Sequence, residues 1–215
     1  MILDWILLLV IAALSYALGS MSTLVLASNF VFRASLSRLG RGNTWLSNFR
    51  RVYGVGGFIK LFLVEAVRDA LPIVIGGLLM SIVEHPEAGR AFAGFCLVLG
   101  RVFPVFYNFK GSHASLCLVA AAFAADISVG VVVLLVVAAV TWFSRYFSLG
   151  AVVGAFFLVI SAVLVIDDTL IIWLMVFTAG LVLIKHIPAI SRMLNGKEER
   201  FSTEKDISYK FDERF

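Results

Sequence analysis

Charge is scarce in this sequence. Asp, Glu, Lys and Arg make up 15% of its 215 residues, against about 25% in an average soluble domain. With 61% apolar residues and a mean hydropathy of +0.99, a water-soluble fold of this size has no interior large enough to hide the apolar side chains. Two cysteines are too few for a disulfide scaffold, and the high hydropathy excludes a disordered or collagenous chain. Cys96 and Cys117 both fall in apolar stretches, where they read as small buried hydrophobes. No HExxH, CxxC, GxSxG or Walker sequence is present, so no metal site or cofactor is expected, nor is a nucleic-acid partner. The solvent that fits is a lipid bilayer.

A membrane helix needs roughly 20 residues, so seven would use about 140 and leave only short connections. Apolar segments lie at 5–27, 57–83, 91–108, 113–125, 128–144, 149–166 and 169–188. Asp4 precedes the first without a base ahead of it, which favours a retained span over a cleaved signal. Asp126 interrupts 113–144, which reads either as one long helix or as a hairpin of two spans, each shorter than a bilayer crossing. The hairpin puts Arg33, Arg38, Arg41, Arg50, Arg51, Lys110, Arg145 and the tail bases on one side. Asp4, Glu84, Glu87, Asp126, Asp167 and Asp168 fall on the other, with Arg90 its sole base. The positive-inside rule then predicts an all-α polytopic bundle of about seven transmembrane helices, N-terminus outside and C-terminus cytoplasmic. Residues 1–192 form one membrane domain and 193–215 a polar cytoplasmic tail.

Polar groups inside spans are costly and mark sites by default. Glu65, Arg68 and Asp69 share a helix face at i, i+3 and i+4. They form either an intrahelical ion pair facing the interior or the charged wall of a pocket. Pro72 follows and is expected to kink that helix. Ser20 is a small packing residue or part of a site. Arg101 either snorkels to lipid phosphate or faces a bound anion. The polar stretch 30–54 packs Gly40, Gly42, Asn43, Ser47 and Asn48 among its arginines. Topology alone needs only the bases. Glycine allows close backbone approach and arginine offers a fork for phosphate, so this reads as an anion-binding loop.

These stretches resemble the bacterial acyl-phosphate:glycerol-3-phosphate acyltransferase family, polytopic enzymes of phospholipid synthesis. Gly19-Ser20 matches the family's first-span Gly-Ser. Gly40 to Arg51 resembles its Gly-Ser-Gly-Asn-x-Gly-Ala-Thr-Asn-x-x-Arg, with Arg41, Trp45 and Ser47 replacing serine, glycine and threonine. Glu65, Arg68, Asp69 and Pro72 stand at the spacing of Asp-x-x-Lys-Gly-x-x-Pro. Gly100-Arg101-Val102-Phe103-Pro104 leading to Phe109-Lys110-Gly111-Ser112-His113-Ala114 resembles Gly-His-x-Phe-Pro-x-x-x-x-Phe-Lys-Gly-Gly-Lys-Gly. Ser144 to Gly150 resembles Thr-Arg-Tyr-x-Ser-Leu-Gly, while Lys185-His186 and Ile190 to Met193 resemble Lys-His-Arg-x-Asn-Ile-x-Arg-Leu. The family's histidine is Arg101 here, its second loop lysine is His113, and a glycine of its second span is Asp69.

The resemblance implies transfer of a fatty acyl group from acyl phosphate to glycerol 3-phosphate, giving lysophosphatidic acid, in a bacterial inner membrane. Such a donor is already activated, so the protein must chiefly bring two anions together and stabilise an oxyanion. No dedicated nucleophile is required, and no general base is assigned. Asn43, Ser47, Asn48 and Arg51, with Ser20 behind them, are expected to meet glycerol 3-phosphate. Lys110, Gly111, Ser112 and His113 are expected to meet the acyl phosphate head, its chain entering from lipid. His186 and Arg192 would close the pocket from the tail side. The alternatives are a degenerate relative that binds phosphorylated lipid and assists a paralogue, and a small anion transporter. A paralogue or a second copy is a candidate partner.

Overall fold

The structure is a computed structural model that describes residues 2–21, 46–109 and 114–196. Among these are seven helices and no strand: α1 (Ile2–Ser20), α2 (Leu46–Met80), α3 (Pro86–Val102), α4 (Ser115–Ala125), α5 (Ile127–Ser144), α6 (Phe147–Val165) and α7 (Thr169–Leu194). By length and composition α1, the Ile59–Val83 stretch that ends α2, α5, α6 and α7 can each cross a membrane. Helix α3, with 17 residues, and α4, with 11, are shorter.

The hairpin in 113–144 is present, and Asp126 is the reason. Its backbone is extended (φ −160°, ψ 149°), so it ends α4 and starts α5 in a single residue. One carboxylate oxygen accepts from the N–H groups of Ser128 (2.7 Å) and Val129 (3.4 Å), two donors that a helix start leaves unpaired. The charge is therefore a helix cap. At 18 residues α5 is full-length, so only α4 keeps the predicted shortness. Arg145, left-handed at φ 63°, ends α5, and Asp168 caps α7 by accepting from Leu170 N–H at 2.8 Å.

Several boundaries depart from the sequence reading. Helix α2 begins at Leu46, inside the stretch read as a polar loop. Its break falls at Gly54 (φ 71°, ψ −172°), a conformation open to glycine, while Pro72 stays helical. The third span ends at Val102 rather than 108, because Phe103 and Pro104 leave the helix for a short 3-10 turn, Val105–Tyr107. Helix α7 passes through Pro188 to Leu194, beyond the expected boundary at 192. The remainder of the tail, 197–215, lies outside the described residues.

The two short helices sit at the centre. Helix α3 packs on α1, α2, α4 and α7, and α4 on α2, α3, α5, α6 and α7. Ala91, Leu97 and Val98 of α3 and Cys117, Leu118 and Ala121 of α4 have no exposed surface. A helix that does not span the bilayer is tolerated where protein, not lipid, covers its ends. Long apolar side chains such as Trp5, Val67, Phe143 and Leu164 point outward instead.

Helices α1 and α3 touch backbone to backbone. A Cβ on Gly100 would collide with the Tyr16 carbonyl oxygen, and one on Gly19 with the Leu97 carbonyl oxygen. The Tyr16 hydroxyl closes the contact by donating to the Phe103 carbonyl at 2.7 Å. Close approach through small residues is how helices gain packing energy in lipid. Gly100→Ala should therefore cost about 1–3 kcal/mol and lower Tm in detergent. Gly180→Ala, whose Cβ meets nothing within 4 Å, should not. Equal Tm values for the two variants would remove the contact from the stability argument.

Candidate functional site

Four charged side chains meet where α1 ends. On α2, Arg68 lies 3.6 Å from Glu65 Oε1 and donates through Nε to Asp69 Oδ1 at 2.9 Å. From α3, Arg101 forms an ion pair with the same Glu65 oxygen. Both arginines also donate to the main-chain carbonyl of Met21, Arg101 at 3.4 Å. Cys117 of α4 completes the cluster by donating from Sγ to Asp69 Oδ2 at 3.3 Å. Glu65 and Asp69 are each 1% exposed and Arg101 is 5% exposed. Burying one such charge alone costs several kcal/mol, and two acids balanced by two bases avoid most of that.

This arrangement refines the sequence reading. The intrahelical pair exists, but Arg101 turns it into an interhelical network. Arg101 does not snorkel to the surface; its guanidinium faces inward. Cys117 is buried as expected, yet it also serves as a hydrogen-bond donor, which an apolar neighbourhood in sequence does not reveal. Asp69 also borders an apolar groove of about 570 Å3 between α2, α4 and α5. Phe62, Ala70, Val119, Phe123, Leu134 and Trp142 supply much of that wall, and Arg145 is the basic residue among its lining.

Of the predicted site residues, Ser20 and Arg101 come together. Ser20 ends α1 beside the Gly100 crossing, 1% exposed, and its hydroxyl has no hydrogen-bond partner among the described residues. Ser47, Asn48 and Arg51 fall on the first turns of α2 rather than on a loop. Asn43, Lys110, Gly111, Ser112 and His113 lie outside the described residues. Arg192 stands exposed in the last turn of α7.

His186 is fully buried on α7, two residues before Pro188. Its Nδ1 lies 2.8 Å from the Val182 carbonyl oxygen. A carbonyl only accepts, so Nδ1 carries a proton. The residue type alone does not reveal which ring nitrogen is engaged.

Packed apolar helices, five with stretches long enough to cross a membrane, and a buried charge cluster beside an apolar groove define a multi-pass membrane protein. The sequence pattern of the family described as glycerol-3-phosphate acyltransferase matches residues 9–196, and the chain belongs to that family of integral membrane enzymes. A curated glycerol-3-phosphate acyltransferase of Finegoldia magna is 27% identical over 92% of this chain and 98% of its own length. One from Carboxydothermus hydrogenoformans is 28% identical over 91% and 97%. The crystal structure of PlsY (YgiH), an integral membrane glycerol 3-phosphate acyltransferase, in its glycerol 3-phosphate form superposes with a TM-score of 0.76 at 23% identity. It covers 91% of this chain and 96% of that one, so the two share a fold.

Proposed function

We propose that this protein transfers a fatty acyl group from an acyl phosphate to the 1-hydroxyl of glycerol 3-phosphate, producing lysophosphatidic acid for phospholipid synthesis in a bacterial inner membrane. The observation that carries this reading is the family match over 9–196, nearly the whole chain. The likeness to PlsY in forms with glycerol 3-phosphate and with lysophosphatidic acid supports the same acceptor and product. A binding protein without turnover has no observation in its favour. The departures at Asp69 and Arg101 are absorbed by ion pairs instead of leaving broken contacts.

In this reading the hydroxyl oxygen of glycerol 3-phosphate bonds to the acyl carbonyl carbon while the bond from that carbon to the phosphate oxygen breaks. The electron pair leaves with phosphate. His186 takes the hydroxyl proton at Nε2, since Nδ1 is bonded to the Val182 carbonyl. Asn43, Ser47, Asn48 and Arg51 hold the acceptor phosphate, with Ser20 behind them. Lys110, Gly111, Ser112 and His113 hold the donor phosphate, and Arg192 closes the tail side. The donor chain lies in the groove between α2, α4 and α5, entering from lipid.

The test is purification in detergent and assay of glycerol 3-phosphate acylation with acyl phosphate, acyl-CoA and acyl carrier protein thioester offered separately. Product from acyl phosphate alone is expected. Transfer from the thioesters only would overturn the donor, and no transfer from any would overturn the activity. The substrates are expected on the cytoplasmic side, with the N-terminus outside. A cysteine at 168 should label from outside the cell and one at 47 only after permeabilisation; labelling of both from one side would reverse that sidedness.

A further inference from the structure

We infer that Glu65, Arg68, Asp69 and Arg101 form a charge-neutral latch on the Met21 carbonyl, holding the end of α1 in place for acceptor binding. Four elements contribute: Met21, the residue just past the end of α1, α2 through three side chains, α3 through Arg101 and α4 through Cys117. The last carbonyls of a helix have no partner within it and carry the negative end of its dipole, so cations are favoured there. Two guanidinium groups meet that need at one carbonyl. They would repel each other in an apolar interior, and Glu65 and Asp69 neutralise them.

An apolar cluster of equal volume would often be as stable or more so, which makes fixing a geometry the better account of the charges. What the latch fixes is Ser20, one residue before Met21, which the proposed function places behind the acceptor phosphate. Arg101 and Asp69 are the two latch positions where the family pattern has histidine and glycine. Here the extra base and the extra acid are both present, and the cluster stays neutral. Arg101 is thus a positioning residue, satisfied by Glu65, rather than a ligand of substrate phosphate.

The experiment is a double-mutant cycle with Glu65→Gln, Arg101→Gln and both together, reading kcat, both KM values and Tm in detergent. Its kinetic part rests on the acyltransferase reading; its thermal part does not. Each single variant leaves a buried charge uncompensated, so each should raise KM for glycerol 3-phosphate at least ~10-fold and lower Tm. The double variant should return to within about threefold of the native KM, with the donor KM unchanged throughout. Arg101→Lys, which keeps the charge, should lose less than Arg101→Gln. A double variant as impaired as Arg101→Gln, or a rise in donor KM, would make Arg101 a phosphate ligand and overturn the latch. Additive Tm changes would overturn it as well. If the native protein transfers no acyl group, the proposed function fails, and the thermal cycle alone still decides whether the pair is coupled.

Discussion

Replacing His186 with asparagine should leave a folded enzyme whose kcat is lower by about 10²–10⁴, the range expected for a lost general base. The asparagine amide can still donate to the Val182 carbonyl, as Nδ1 does at 2.8 Å, so the helix keeps that hydrogen bond. It offers no basic nitrogen where Nε2 stood. Binding of glycerol 3-phosphate should change little, because a proton acceptor acts on the hydroxyl and not on the phosphate. The diagnostic pattern is a fall in kcat with KM nearly constant and Tm close to native. A kcat within tenfold of native would remove His186 from proton transfer. A rise in KM without loss of kcat would make it a binding residue instead.

Arg51→Lys should raise KM for glycerol 3-phosphate by roughly 10- to 100-fold, equivalent to about 1.4–2.8 kcal/mol of lost binding. Lysine keeps the positive charge but loses the planar fork that grips two phosphate oxygens at once. A residue there only to mark the cytoplasmic side would tolerate the exchange, since topology counts charge alone. Arg50→Lys is the internal control, expected to behave as native. Titration of glycerol 3-phosphate at saturating acyl phosphate reads the effect, and native kinetics in Arg51→Lys would take the residue out of the site.

Much of the architecture was legible because lipid imposes a simple rule on sequence. Asp126 in an apolar run, with Arg145 needing the same side as Lys110, was enough to divide 113–144 into two helices. What local pattern could not show was how remote residues pair. Asp69 and Arg101, 32 positions apart, look in sequence like separate departures; only Arg68 and Glu65 between them join the two in one balanced network. Pro72 was a plausible kink by residue type, yet Gly54 took the break, since a left-handed φ needs no Cβ more than it needs a missing N–H. That His186 Nδ1 donates depends on where the Val182 carbonyl points, a fact of the helix and not of the motif. Ser47, Asn48 and Arg51 were identified by composition as a phosphate loop, but their backbone is helical because the polar stretch ends in a helical start at Leu46.

The single-residue joint between α4 and α5 has a bearing on how the chain reaches the bilayer during synthesis. Eleven residues, the length of α4, fall well short of the roughly 20 that the insertion machinery reads as an autonomous span. Helix α5, with 18 strongly apolar residues, follows after one residue only. The two are therefore expected to partition as a helical pair, α5 drawing α4 in with it. Asp126 stands at the tip of that pair, where its carboxylate is bonded to the Ser128 and Val129 amides instead of bare. In biogenesis, the unit is the hairpin.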